Sequence, residues 1–209
     1  FDEKKIFLLR DPIINIQKIE KLKKQKIDPY FEKNQFIVAI GRLTKQKNFK
    51  FLISCFQKLI DSQPNLKLVI LGDGEEMQNL KKLIHTKNLK NNIFLLGHSQ
   101  NVFSYLSRAK LFILSSLWED PGWVLLEAAA SNTLILSSDC KNGPSEIIDN
   151  NNAGQLYKSD DEQDFINKFN KIMSLDKAQI NSKKLFAKKK SYSYTKFQHF
   201  KNLEEIISI

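Results

Sequence analysis

Residues 111–148 read LFILSSLWEDPGWVLLEAAASNTLILSSDCKNGPSEII. Leu111 to Leu114 is an apolar run of strand length, as in a strand buried on both faces. A polar loop carrying Glu119 follows. Trp123 to Ala130, with three consecutive alanines, then has the composition of a helix and carries Glu127. A second apolar strand, Thr133 to Leu136, leads into another polar loop, and Gly143-Pro144 opens a second helix. This rhythm of strand, loop and helix is that of a parallel α/β sheet. Ligands in such sheets bind at the loops that leave the carboxyl ends of the strands. Glu119 and Glu127 fall at those places.

Asp120-Pro121-Gly122 reads as a turn into the helix, with Asp as cap and Pro in the first turn. The unpaired amides of that start, near Gly122, Trp123 and Val124, are an anion site. Helical side chains lean toward the N-terminus, so Glu127 reaches back over the helix start. Two carboxylates there repel a bare phosphate but accept hydrogen bonds from sugar hydroxyls. The ligand implied carries phosphates and sugars together, as a nucleotide sugar does. Taken singly, each glutamate is an ordinary solvated residue; the pair within this framework points to a ligand. Trp123 is expected to shape the loop rather than stack on a base.

Working outward, Phe36 to Ile40 is the first strand, ending at Gly41-Arg42, and Asn48 to Ile60 is an amphipathic helix. Lys67 to Leu71 is the second strand. Gly72-Asp73-Gly74 after it is a tight turn rather than a dinucleotide fingerprint, because Met77 stands where the third glycine belongs. Asn92 to Leu96 is the third strand, followed by His98, and Gly154 to Tyr157 a short sixth. Ser159-Asp160-Asp161-Glu162 caps a helix from Gln163 to Met173. Lys183 to Lys190 is a solvated basic helix face, and Thr195 to Ile207 a last helix. Upstream, Ile6 to Leu9 reads as a closing strand of a preceding domain, and Ile16 to Lys26 as a poorly anchored linker.

Six strands of this kind predict a doubly wound α/β sheet in the order 3-2-1-4-5-6, with a crevice between strands one and four. The loop from Gly41 to Lys47 brings Arg42 and Lys47 there, and the loop from Ser115 to Gly122 brings Glu119. Topology thus places cations and carboxylates together. Where a diphosphate departs from a sugar, negative charge builds on it, and a fixed cation stabilises that state more than the ground state. The chain has no convincing metal-ligand pair at a strand end, so no metal and no cofactor are expected. Gly41 is expected to let the backbone approach the phosphates.

Glu119 and Glu127, with Leu125, Leu126 and Ala128, resemble the E-x7-E signature of the retaining GT-B glycosyltransferases of the glycosyl transferases group 1 type. SSDCKNGPSEII resembles the next loop of that family, and the likeness runs from Phe36 to about Ile172. Where the family often reads Glu-Gly-Phe-Pro, this chain has Glu119-Asp120-Pro121-Gly122. The resemblance implies the donor-binding, C-terminal half of a two-domain enzyme acting with retention, by front-face attack in which the leaving phosphate helps take the acceptor proton. It implies that Arg42 and Lys47 contact the donor diphosphate, that Glu127 binds ribose hydroxyls and that Glu119 faces the transferred sugar. His98 would lie toward the nucleobase. The expected organisation is an interdomain segment with a remnant of the preceding domain over 1–34, a Rossmann-like nucleotide-sugar domain over 35–175, and C-terminal helices over 176–209. The partners implied are a nucleotide-sugar donor, a sugar or lipid-linked acceptor and an N-terminal acceptor domain outside this chain.

The 209 residues are 42% hydrophobic, enough for a proper core, and carry a net charge of +10. Of 33 basic residues only Arg10, Arg42 and Arg108 are arginines, and no nucleic-acid motif is present, so a nucleic-acid partner is not expected. The dispersed lysines fit solubility and attraction to anionic ligands or to a membrane surface at its inner face. Cys55 and Cys140 lack metal or redox spacing, which fits a reducing cytoplasm. Two other functions share this framework: a nucleotide-sugar epimerase of GT-B fold, separable by a product assay without acceptor, and a nucleotide-sugar binding module without activity.

Overall fold

The computed structural model describes residues 6–208. In chain order the elements begin with α1 (Ile16–Lys23), α2 (Pro29–Lys33), β1 (Ile37–Ile40), α3 (Phe49–Ser62), β2 (Leu68–Leu71) and α4 (Met77–Thr86). β3 (Ile93–Gly97), α5 (Val102–Leu106), β4 (Leu111–Leu114), α6 (Trp123–Ala130), β5 (Ile135–Ser138) and α7 (Pro144–Ile148) follow. The chain ends in β6 (Gln155–Tyr157), α8 (Glu162–Met173), α9 (Lys177–Tyr192) and α10 (Lys196–Ile207). The strands form one sheet in the order β3-β2-β1-β4-β5-β6, every pair parallel, as the sequence predicts.

Helices cover both faces, so the central strands are apolar on both. Side chains alternate between two cores. Val38, Val69, Phe112 and Ile135 join one, with α6 and α7. Ile37, Leu68, Ile113 and Leu136 join the other, with α3 and α8. α6 is buried almost all round rather than amphipathic. Its alanines 128, 129 and 130 are buried in the core, and α9 packs over it.

Three expectations are corrected. The lysine-rich segment before β1 is anchored, not loose: Ile14, Ile19, Ile27 and Phe31 are buried, and Phe31 packs its ring against Phe36 and Phe94. Asn101 Nδ2 and an Arg108 guanidinium nitrogen donate to the carbonyls of Leu22 and Lys23 at 2.9 and 3.0 Å, satisfying the end of α1. β5 lies two residues later than Thr133 to Leu136. Thr133 still closes the α6 turn through its amide to Ala128 O, while Ser137 and Ser138 pair with β6 although they carry no apolar signal. Asp120 does not cap α6. The cap is Gly122, at φ 83°, and the Asp120-Pro121 bond is cis. Asp161, by contrast, caps α8 as expected, accepting from Asp164 N at 3.0 Å. Ile6 to Leu9 lies outside any strand, and Phe1 to Lys5 lie outside the described residues.

The carboxyl ends of β1 and β2 approach closely. A Cβ on Gly72, whose φ is +146°, would lie 1.9 Å from Gly41 O. The contact explains this glycine better than a dinucleotide motif. Gly72→Ala is therefore expected to destabilise the fold by about 2–4 kcal/mol. Urea unfolding checks this, and an unchanged midpoint would remove the close approach as a constraint.

Candidate active site

The loops after β1 and β4 meet at the carboxyl edge of the sheet because those strands are neighbours. Gln46 and Leu117 tie them together. Leu117 N donates to Gln46 O at 2.8 Å, and Gln46 Nε2 donates to Trp118 O at 2.9 Å. Within this frame Lys47 Nζ lies 2.5 Å from Glu119 Oε1, across 72 residues of sequence. The stem of Lys47 runs over Gly41, where a Cβ would meet its Cδ at 3.1 Å. The missing side chain of Gly41 thus makes room for a lysine.

Glu119 is only 4% exposed and its partner is largely covered. Such a pair persists because each charge is matched and further hydrogen-bonded. Ser116 Oγ supplies one such bond, donating to Glu119 Oε1 at 2.5 Å, and Glu119 N donates to Lys141 O at 3.0 Å on the loop after β5. That loop comes close in turn. A Cβ on Gly143 would lie 1.9 Å from Pro121 O, so three loops interlock around Glu119.

Arg42 is exposed and lines a cavity of about 260 Å³ with Gly41, Asp73, His98 and Ser99. Gly41 belongs to both places: it lines the Arg42–His98 cavity and carries the lysine stem. Trp123 is exposed and Val124 half-buried at the start of α6, where Leu125 N is already bonded to Gly122 O. Among the described residues the amides of Gly122, Trp123 and Val124 find no partner outside the helix. Glu127 is half-buried and has no hydrogen-bond or ion-pair partner among the described residues. Burial raises its pKa above the ordinary value. Another cavity, of about 240 Å³, lies at the opposite end of the strands beside Phe36, Pro64 and Lys110, away from these loops.

Ser116 and Asp73 complete the site without having stood out in the sequence. Ser116 is one of several serines at strand ends, and no spacing marks it. Among the described residues no group of three or more His, Cys, Asp or Glu could hold a metal ion, and no helix is long and apolar enough to cross a membrane. Both cysteines are buried and free. Burial pushes the Cys55 thiol up to about 12 and shifts Cys140 in the same direction, which makes both poor nucleophiles.

Fold and site together define a Rossmann-like domain of GT-B glycosyltransferase type, with its polar machinery at the carboxyl edge of the sheet. The chain belongs to the family described as glycosyl transferases group 1, which it matches over residues 20–190. An uncharacterised glycosyltransferase of Methanocaldococcus jannaschii is 40% identical over 140 residues, 65% of this chain and 34% of that protein. In Campylobacter jejuni, N-acetylgalactosamine-N,N'-diacetylbacillosaminyl-diphospho-undecaprenol 4-alpha-N-acetylgalactosaminyltransferase is 30% identical over 165 residues, 79% of this chain and 44% of that protein. The solved structure of S. aureus TarM with UDP shares the fold, with a TM-score of 0.79 over 99% of this chain and 40% of that one at 22% identity. The chain therefore spans between 34% and 44% of the length of these relatives.

Two stability predictions follow from the charges. Lys47→Ala strands a buried carboxylate and is expected to destabilise by roughly 3–5 kcal/mol, whereas Lys47→Met with Glu119→Gln is expected to recover most of that. Denaturant midpoints of the three proteins check this, and a double variant no better than the single one would show that the charges are not matched to each other. Glu127 binds its proton more tightly folded than unfolded, so its penalty is absent below the ordinary value near 4.5 and grows as pH rises through the raised one. The melting temperature of Glu127→Gln relative to wild type is expected to rise as pH increases above the ordinary value near 4.5. A flat difference would mean that Glu127 is solvated.

Proposed function

We propose that this chain is the donor-binding part of a glycosyltransferase that moves a sugar from a nucleotide sugar to a glycan or lipid-linked acceptor, with retention. The observation that carries this is the buried Lys47–Glu119 pair at the strand ends, together with an exposed Arg42 and a half-buried Glu127 that has no partner among the described residues. Such an arrangement suits a ligand bearing both anionic and hydroxyl groups.

In this reading Arg42 and Lys47 stabilise the diphosphate, helped by the amides of Trp123 and Val124 at the start of α6. Glu127 accepts hydrogen bonds from the ribose hydroxyls, which replaces the water lost on burial. His98, in the cavity with Arg42, faces the base. Glu119 orients the transferred sugar. As the bond from the anomeric carbon to the β-phosphate oxygen breaks, its electron pair leaves on the diphosphate. The acceptor oxygen bonds the same face of that carbon, and its proton passes to the departing phosphate oxygen. Lys47 and Arg42 act at the leaving group, where the charge grows.

UDP is the first donor nucleotide to test, because the S. aureus neighbour was solved with it. A lipid-linked acceptor and contact with an anionic membrane surface at its inner face fit both the +10 net charge and the undecaprenol-linked substrate named for the C. jejuni relative.

Calorimetric titration of UDP and UDP-sugars into the intact protein tests this. Arg42→Ala and Glu127→Ala are each expected to weaken UDP by about 1.5–3 kcal/mol, the range of hydrogen bonds to charged groups. Glu119→Gln is expected to leave UDP affinity nearly unchanged while slowing sugar transfer. UDP binding that is indifferent to Arg42 and Glu127, or lost in Glu119→Gln, would overturn this division of roles.

A further inference from the structure

We infer that Ser116, with Ser115 beside it, is the positioning residue that presents the Glu119 carboxylate to the sugar; the inference rests on the donor site proposed above. Ser116 is 0% exposed and lies just beyond the end of β4. Its hydroxyl donates to Glu119 Oε1, the oxygen that Lys47 Nζ also meets. Ser115 holds the other partner, since its Oγ donates to the main-chain carbonyl of Lys47 at 2.7 Å. Two adjacent serines therefore bond the two residues of one ion pair, Ser116 at the carboxylate and Ser115 at the lysine main chain. Ser116 is itself fixed, because its carbonyl accepts from Ser138 Oγ at 2.8 Å.

Most buried serines bond a main-chain carbonyl, although Ser131 Oγ has no partner among the described residues. Ser104, Ser115, Ser137, Ser138 and Ser191 all do so here. Among the buried serines Ser116 alone gives its proton to a carboxylate. The consequence lies in which oxygen is used. Oε1 takes both the serine and the lysine, while Oε2 accepts no hydrogen bond among the described residues. Oε2 is the oxygen left for a sugar hydroxyl. Without Ser116 the carboxylate is held by the lysine alone and can turn, exchanging its two oxygens at Nζ. A hydroxyl donor of fixed geometry thus restricts an acceptor that a flexible ammonium would hold loosely.

The experiment is a double-mutant cycle in the intact protein with Ser116→Ala, Glu119→Gln and both together, reading UDP affinity by calorimetry and UDP release from a panel of UDP-sugars. Ser116→Ala is expected to lower kcat about tenfold, to change UDP affinity less than about twofold, and to add nothing in the Glu119→Gln background. Ser116→Cys, with a weak donor of similar size, should fall between wild type and alanine. It carries the test if the alanine variant does not fold, and wild-type turnover in it would overturn the inference. Ser104→Ala, which loses a buried serine elsewhere, should leave kcat unchanged. Additive losses in the cycle, or a UDP affinity that falls as far as kcat, would also overturn it. If wild type binds no UDP-sugar, the proposed function fails rather than the serine. Melting temperatures of the same four ligand-free proteins then decide the serine's role: non-additive losses support its action on Glu119, and additive losses reject it.

Discussion

β1 lies beside β4, and the ion pair at the centre of the candidate site depends on that neighbourhood. Ile37 pairs with Leu111 and Val38 with Phe112, so the two strands end side by side and release their loops into the same space. The two loops have nothing in common along the chain. One is rich in cations and the other carries a carboxylate. Only the reversal of strand order at this point makes them partners.

The space is small, and backbone contacts decide its shape. Gly72 meets the carbonyl of Gly41, and Gly143 meets that of Pro121. Each contact brings a neighbouring loop within reach of the central pair. Gly41 works differently, yielding its side-chain volume to the stem of Lys47. The result is a charged pair that is nearly closed from water yet sits at the edge of the molecule. Burial strengthens the attraction between the charges, and the same burial makes an unmatched partner costly. Serines at the ends of β4 and β5 supply the neutral hydrogen bonds such a pair needs. Glu127 stands in the opposite condition, half-buried and without a hydrogen-bond or ion-pair partner among the described residues.

Much of this was legible in the residues. Apolar runs marked β1 to β4 and the first half of β5, because both faces of a parallel sheet are buried, whereas the short β6 carries no such run. Strand order followed from the alternation of strands and helices, and the limits of α6 from its run of good helix formers ahead of Ser131-Asn132. The spacing of Glu119 and Glu127 located the site, since strand-end loops and helix starts are local features. Local signals also misled. Asp120-Pro121 has the chemistry of a helix cap, but the cap is Gly122, two residues on. The lysines before β1 suggested a loose linker, while the isoleucines and Phe31 among them were the residues that mattered.

The sequence by itself determined the elements, their order in the sheet and the residue types available at its edge. These depend on periodicity and propensity, which act over a few residues. The tertiary structure decided which of those residues touch. Lys47 stood out as a loop cation, and the fold sets its ammonium beside Glu119 as well. Ser116 was one serine among many, and the fold placed its hydroxyl on the same oxygen. Contacts across 72 residues depend on how two loops pack once their strands are side by side, and no local pattern encodes that packing.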